Sequence, residues 1–152
     1  MNRFGRSFPR VKGFFEGLRK EHSVPIGAAG FCLGGKHVCL LAAPENTIDG
    51  KPLLDVGFAG HPSMLTMPQD IENISLPISF AIGDLDNQVS IDQCQQIKKI
   101  IENKPDNQIG EIKIYDGASH GFCVRVNKSD KYLEKNALEA KDQCISWFNN
   151  HP

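Results

Sequence analysis

Apolar and polar positions follow two rhythms along this chain. Short apolar runs stand at 24–31 (VPIGAAGF), 54–60 (LDVGFAG) and 77–83 (PISFAIG), and a fourth, more alternating run at 111–115 (EIKIY). Each has the length and make-up of a strand. Between them apolar residues recur at helical spacing. Val11, Phe14, Phe15 and Leu18 fall at i, i+3, i+4 and i+7 over 11–20, a stripe that predicts an amphipathic helix. Further helices are predicted over 36–43, over 91–103 with Ile97, Ile100 and Ile101, and over 132–149 with Leu138, Ile145, Trp147 and Phe148. A short helix fits 68–74, and 45–52 reads as a polar loop. Strands too apolar to face water, separated by helices, predict a mostly parallel sheet covered on both faces. The expectation is one three-layer α/β domain over 1–152.

In such sheets chemistry collects at the C-terminal ends of the strands. After the first run stands Gly30-Phe31-Cys32-Leu33-Gly34-Gly35, a cysteine on a glycine-flanked turn between a strand and a helix. That is the nucleophile-elbow pattern with sulfur in place of oxygen. A Cβ on either flanking glycine is expected to crowd the turn. The helix N-terminus beneath supplies partial positive charge suited to an anionic nucleophile. The second run ends at His61-Pro62, the third leads into Gly83-Asp84-Leu85-Asp86, and the fourth into Ser119-His120-Gly121-Phe122. Nucleophile, acid and histidine thus follow in the order of an α/β-hydrolase triad. Cys32 would attack a carbonyl, His120 would shuttle its proton, and Asp86 would fix the imidazole tautomer. Asp84 competes with Asp86, and either acid could cap the helix beginning near Ser90, but the Gly83-x-x-Asp86 spacing sets Asp86 deeper in the loop and favours it. His61 is read equally as a pocket-lining residue or a structural one. Cys39, Cys94, Cys123 and Cys144 are read as packed thiols.

Composition narrows the function further. With 152 residues and a net charge of −1, the chain carries no signature of a nucleic-acid binder or of electrostatic membrane attachment. No apolar run approaches the ~20 residues of a transmembrane helix. Five scattered cysteines without C-x-x-C spacing point away from a metal site or disulfide framework, and toward reduced thiols in the cytoplasm. Arg3, Arg6, Arg10 and Lys12, with no acid before Glu16, offer a mitochondrial presequence as the minor alternative to a basic lead-in to the first helix.

The Gly-x-Cys-x-Gly-Gly elbow, the Gly83-x-x-Asp86-x-x-Val89 segment and Ser119-His120-Gly121-Phe122 together resemble the dienelactone hydrolases (carboxymethylenebutenolidases), most closely the fungal branch. The resemblance runs from about the first helix to the C-terminus. It implies an α/β-hydrolase fold and hydrolysis of small esters or lactones through a cysteinyl acyl-enzyme, with no metal or organic cofactor. It also implies Cys32 as nucleophile, Asp86 as acid, His120 as base and the Leu33 backbone N–H as an oxyanion donor. Phe122 and Arg125 join His61 as substrate-binding candidates, with a surface salt bridge as the other reading of Arg125.

An α/β-hydrolase places several strands before the nucleophile strand, and one of the preceding loops gives a second oxyanion N–H. Those strands are expected to be missing here, which would impair activity and leave the 25–31 strand as a sheet edge open to self-association. The rival expectations are a non-catalytic remnant or interaction module of the same family, and a thiol sensor using the elbow cysteine.

Overall fold

In the computed structural model, which describes residues 3–151, the four apolar runs become one parallel sheet. Its strands are β1 (Gly27–Phe31), β4 (Val56–Gly60), β5 (Ile78–Leu85) and β6 (Gly110–Ser119), hydrogen-bonded in that order. The helices are α1 (Arg3–Glu21), α2 (Leu33–Leu41), the single turn α3 (Gln69–Glu72), α4 (Ile91–Glu102) and α5 (Lys131–Asn150). A two-stranded hairpin, β2 (Thr47–Ile48) with β3 (Lys51–Pro52), occupies the segment read as a loop. Its turn was visible as Asp49-Gly50: φ is 51° and 74° at these residues, the left-handed pair that two-residue hairpins require. None of the described helices is long and apolar enough to cross a membrane.

The sheet separates two apolar layers, as the apolar central strands β4 and β5 required. On one face Val38, Leu41, Phe80, Ile82, Cys94, Ile97 and Ile101 pack together under α2 and α4. On the other, Phe58, Ala81, Tyr115 and Ala118 meet Ala140 of α5, flanked by Phe148. Strand alternation sends Phe58 and Ala59 to opposite sides, and Phe80 and Ala81 likewise.

Two predicted stripes shift. In α1 the inward positions are Phe8, Val11, Phe15 and Leu18, whereas Phe14 is 65% exposed. The helix begins eight residues earlier than its sequence pattern suggested, and its inner face is set by contact with α2 and the sheet rather than by the densest apolar cluster. In α5, Leu138 and Ile145 face outward while Ala140 and Trp147 are buried.

Polar ties fix these layers around the elbow. Arg19 of α1 donates to the Asp55 carboxylate, which also accepts the Ile26 N–H at 2.7 Å, so one acid joins α1 to the start of β1 and β4. One helical turn past the cysteine, Lys36 is buried and its ammonium donates to the Met64 carbonyl (2.6 Å) and Thr66 hydroxyl (3.1 Å). It also lies 3.3 Å from the Asp70 carboxylate, each side chain being 9% exposed. This pair anchors the β4–α3 loop against α2.

Removing one partner of a buried ion pair strands the other charge, at about 3–5 kcal/mol. Lys36→Ala is therefore expected to lower the urea-unfolding free energy by about that amount. Lys36→Met combined with Asp70→Leu should recover part of the loss, since the stranded charge is gone but the Met64 carbonyl and Thr66 N–H lose these partners.

Candidate active site

The backbone at Cys32 (φ 52°, ψ −122°) lies in a region that side-chain-bearing residues seldom occupy. Its surroundings hold it there. The Cys32 N–H donates to the Gly60 carbonyl (3.3 Å), and the Cys32 carbonyl accepts from Gly35 and Ser63 N–H groups, both at 3.0 Å. The steric expectation for the two flanking glycines is half right. A Cβ at Gly30 would sit 2.1 Å from the Gly34 carbonyl oxygen, but one at Gly34 meets nothing within 4 Å outside its own helix. The second position that demands glycine is Gly35, where a Cβ would come within 2.8 Å of Pro62. Gly30 therefore lets the strand pass under the helix start, and Gly35 lets the helix press on the His61-Pro62 segment. Leu33 opens α2, and N–H groups in a helix's first turn have no carbonyl partner within the ladder.

The acid and the histidine meet through an irregularity between β5 and β6. Gly83 pairs with Tyr115 but Leu85 with Ser119, so β6 spends extra residues there. A Cβ at Gly83 would lie 1.9 Å from the Ala118 carbonyl oxygen, and Gly117 takes φ 68°. The two acids divide the work: Asp84 accepts the Gly117 N–H at 2.8 Å and pins the bulge, while Asp86 takes His120. His120 Nδ1 lies 3.1 and 3.0 Å from the two Asp86 oxygens. The same carboxylate accepts the Gln88 (2.7 Å) and Val89 (3.3 Å) N–H groups, and its side chain is fully shielded from solvent.

His61 is wholly buried and touches the sulfur itself: its Nδ1 lies 3.5 Å from Cys32 Sγ, within hydrogen-bonding range for sulfur. Its backbone is strained (φ 34°) and tied to β5 by a 2.7 Å bond from its N–H to the Ala81 carbonyl. Its ring packs edge-on against His120, with centroids 5.1 Å apart, and against Phe122 at 6.0 Å. Burial first, and the neighbouring His120 second, lower its pKa to about 4, which keeps the imidazole neutral near pH 7. One donor atom from each of Cys32, His61 and His120 lies within 4.8 Å of the others. No motif spacing announces this cluster, because the three residues come from three strand ends.

The remaining candidates are placed differently. Phe122 is 4% exposed and stacks near Tyr115, with centroids 4.9 Å apart, so it backs His61 from inside the core. Arg125 is exposed and has no carboxylate within ion-pair distance among the described residues, so the surface-salt-bridge reading has no partner. Its guanidinium lies over Gly121, and its charge opposes protonation of His61. All five cysteines are free thiols; burial raises Cys94 to about 11 and Cys123 to about 12.

A model of the dienelactone hydrolase family matches residues 12–152. Among curated relatives, hydrolase tropI of Talaromyces stipitatus is 30% identical over 129 residues, 83% of this chain and 46% of that protein. Hydrolase pyvD of Aspergillus violaceofuscus is 29% identical over 128 residues, 83% of this chain and 47% of its own. The chain thus spans about half the length of these two relatives. Among solved structures, the butyrate-bound esterase Est2 of Thermogutta terrifontis superposes with a TM-score of 0.65 at 14% identity, covering 91% of this chain and 64% of that one. That likeness shows the fold alone.

A histidine kept neutral by burial makes stability depend on pH in a defined window. With His61 depressed from 6.5 to about 4, the unfolded chain binds the proton first as pH falls. The folded state is therefore expected to lose stability between about pH 6.5 and pH 4, with no contribution from this group above that window. Urea unfolding across this range should show a slope in His61→Gln shallower than wild type by up to one proton. Identical slopes would contradict the assignment.

Proposed function

Because the chain belongs to the dienelactone hydrolase family, we propose that it hydrolyses small carboxylic esters or lactones through a Cys32–His120–Asp86 triad and a cysteinyl acyl-enzyme. One observation carries the reading. His120 is held by both Asp86 oxygens at 3.0 and 3.1 Å, and a ring nitrogen of His120 and the sulfur of a strained elbow cysteine fall within 4.8 Å of each other. With Nδ1 committed to Asp86, Nε2 is the nitrogen left to serve the sulfur.

The proposed sequence of steps balances without any added group. Sγ bonds to the substrate carbonyl carbon as its proton passes to His120 Nε2, and Asp86 stabilises the imidazolium. Negative charge gathers on the former carbonyl oxygen, where the Leu33 N–H donates. The carbon–oxygen bond of the ester breaks, and the leaving alkoxide takes the proton from Nε2. Water then attacks the thioester with His120 as base, releasing the acid and restoring the thiol. In a lactone the leaving alcohol and the acid are two ends of one product. One oxyanion donor is worth about 10²–10³ in turnover, and the Leu33 N–H is expected to contribute on that order.

The test is acyl trapping. Incubated with an activated aryl ester, the protein should gain one acyl group, located at Cys32 by peptide mass spectrometry and absent from Cys32→Ala. His120→Ala should abolish turnover, and Asp86→Asn should lower kcat by roughly 10³–10⁴. No acylation and no turnover would remove the enzyme reading and favour a non-catalytic family member. Rapid peroxide oxidation of Cys32 without ester chemistry would favour a thiol sensor.

A further inference from the structure

We propose that Cys32, His61 and His120 form a three-donor binding site for a borderline-soft divalent cation of the Zn²⁺ class, and that an ion there switches the nucleophile off. The ion takes the electron pairs of the sulfur and of His120, the same pairs that attack the carbonyl and accept the proton. Its inhibitory consequence rests on the triad reading, whereas binding itself does not.

Geometry selects the ion. With zinc–sulfur near 2.3 Å and zinc–nitrogen near 2.0–2.1 Å at tetrahedral angles, a thiolate and an imidazole nitrogen stand about 3.6 Å apart. Cys32 Sγ and His61 Nδ1 stand 3.5 Å apart already, and the third donor lies within 4.8 Å of both. Closing that gap falls to Cys32 and His120, the two partly exposed members, while buried His61 stays fixed by the 2.7 Å bond from its backbone to Ala81. One thiolate and two imidazoles suit zinc, cadmium or cobalt rather than magnesium or calcium, which require oxygen donors.

The outer contacts agree. Asp86 receives Nδ1–H of His120, which orients the ring and raises the basicity of Nε2, the carboxylate–histidine–metal arrangement of zinc sites. Binding is charge-economical: the thiol proton leaves to water, the thiolate and Asp86 together offset the dication, and a water completes the fourth position. His61 enters here with an unassigned role, since the triad chemistry has no step for a fully buried imidazole against the sulfur.

The test uses the intact chain and the metal alone. Titration with Cd²⁺ should produce an ultraviolet thiolate-to-cadmium band that saturates at one equivalent and is displaced by Zn²⁺ but not by Mg²⁺. The band should vanish in Cys32→Ala. Binding should weaken roughly 10–100-fold in Asp86→Asn, as outer-shell partners do, and at least as much in His61→Gln. X-ray absorption at the zinc edge of the wild-type protein, which needs no variant to fold, should show one sulfur and two imidazoles. Added Zn²⁺ should stop ester hydrolysis, and a chelator should restore it. Persistence of the band in Cys32→Ala, two or more sulfurs at the edge, or no saturable binding would overturn the site. A protein that binds the ion yet never hydrolyses an ester would refute the triad reading and its inhibition while leaving the metal site standing.

Discussion

The close approach of the α2 start to two neighbouring segments is the constraint on which this site depends. At Gly30 and Gly35 a methyl group would collide with backbone or proline at 2.1 and 2.8 Å. With both positions bare, α2 can begin directly above the strand end, and Cys32 is left with φ 52° because no relaxed conformation turns the chain so sharply. The strain is balanced by specific bonds. Both bonds to the Cys32 carbonyl, from Gly35 and Ser63, measure 3.0 Å, and they come from different elements. The elbow is therefore a property of the packed sheet rather than of the hexapeptide.

The same logic brings Asp86 and His120 together. Asp86 and His120 are 34 residues apart and meet because β5 and β6 are parallel neighbours whose register slips just before their ends. Gly83 admits the Ala118 carbonyl, and Asp84 caps the bulge at Gly117. Without that slip, strict pairing would carry the residues after Ser119 away from the Asp86 loop. Two acids two residues apart thus have separate duties, one shaping the strand and one holding the imidazole.

Much of this was legible in the sequence because parallel strands buried on both faces must be apolar, and because the elbow, acid and histidine fall just after them in triad order. What was illegible has physical reasons. Gly34 looked as indispensable as Gly30, but only contacts across the fold distinguish a glycine that admits a carbonyl from one facing open space. Phe14 matched the helical stripe of α1 and is exposed, since the inner face is chosen by what the helix meets. The Gly83-x-x-Asp86 spacing favoured Asp86 over Asp84, but the bulge that gives Asp84 its own partner at Gly117 leaves no mark in that spacing. His61 was legible as a pocket-lining candidate, but a histidine followed by proline after a strand says nothing of a sulfur 3.5 Å away.

His61 also shows how packing sets chemistry at this centre. Its ring is sealed by Phe122 on one side and His120 on another, and burial drives its pKa down to about 4. A cation there would be opposed by His120 and, less, by Arg125, while Asp86 favours it, so burial is the larger cause that decides. The residue is thereby kept as a neutral imidazole near pH 7, within hydrogen-bonding range of the sulfur but poorly suited to be the acid that protonates a leaving group. In the proposed mechanism that duty is given to His120, the one of the two with a carboxylate against its other nitrogen. Under the proposed mechanism, two histidines beside one thiol are thus divided by their surroundings into a fixed neutral imidazole and a proton carrier, and the division follows from which of them Asp86 bonds.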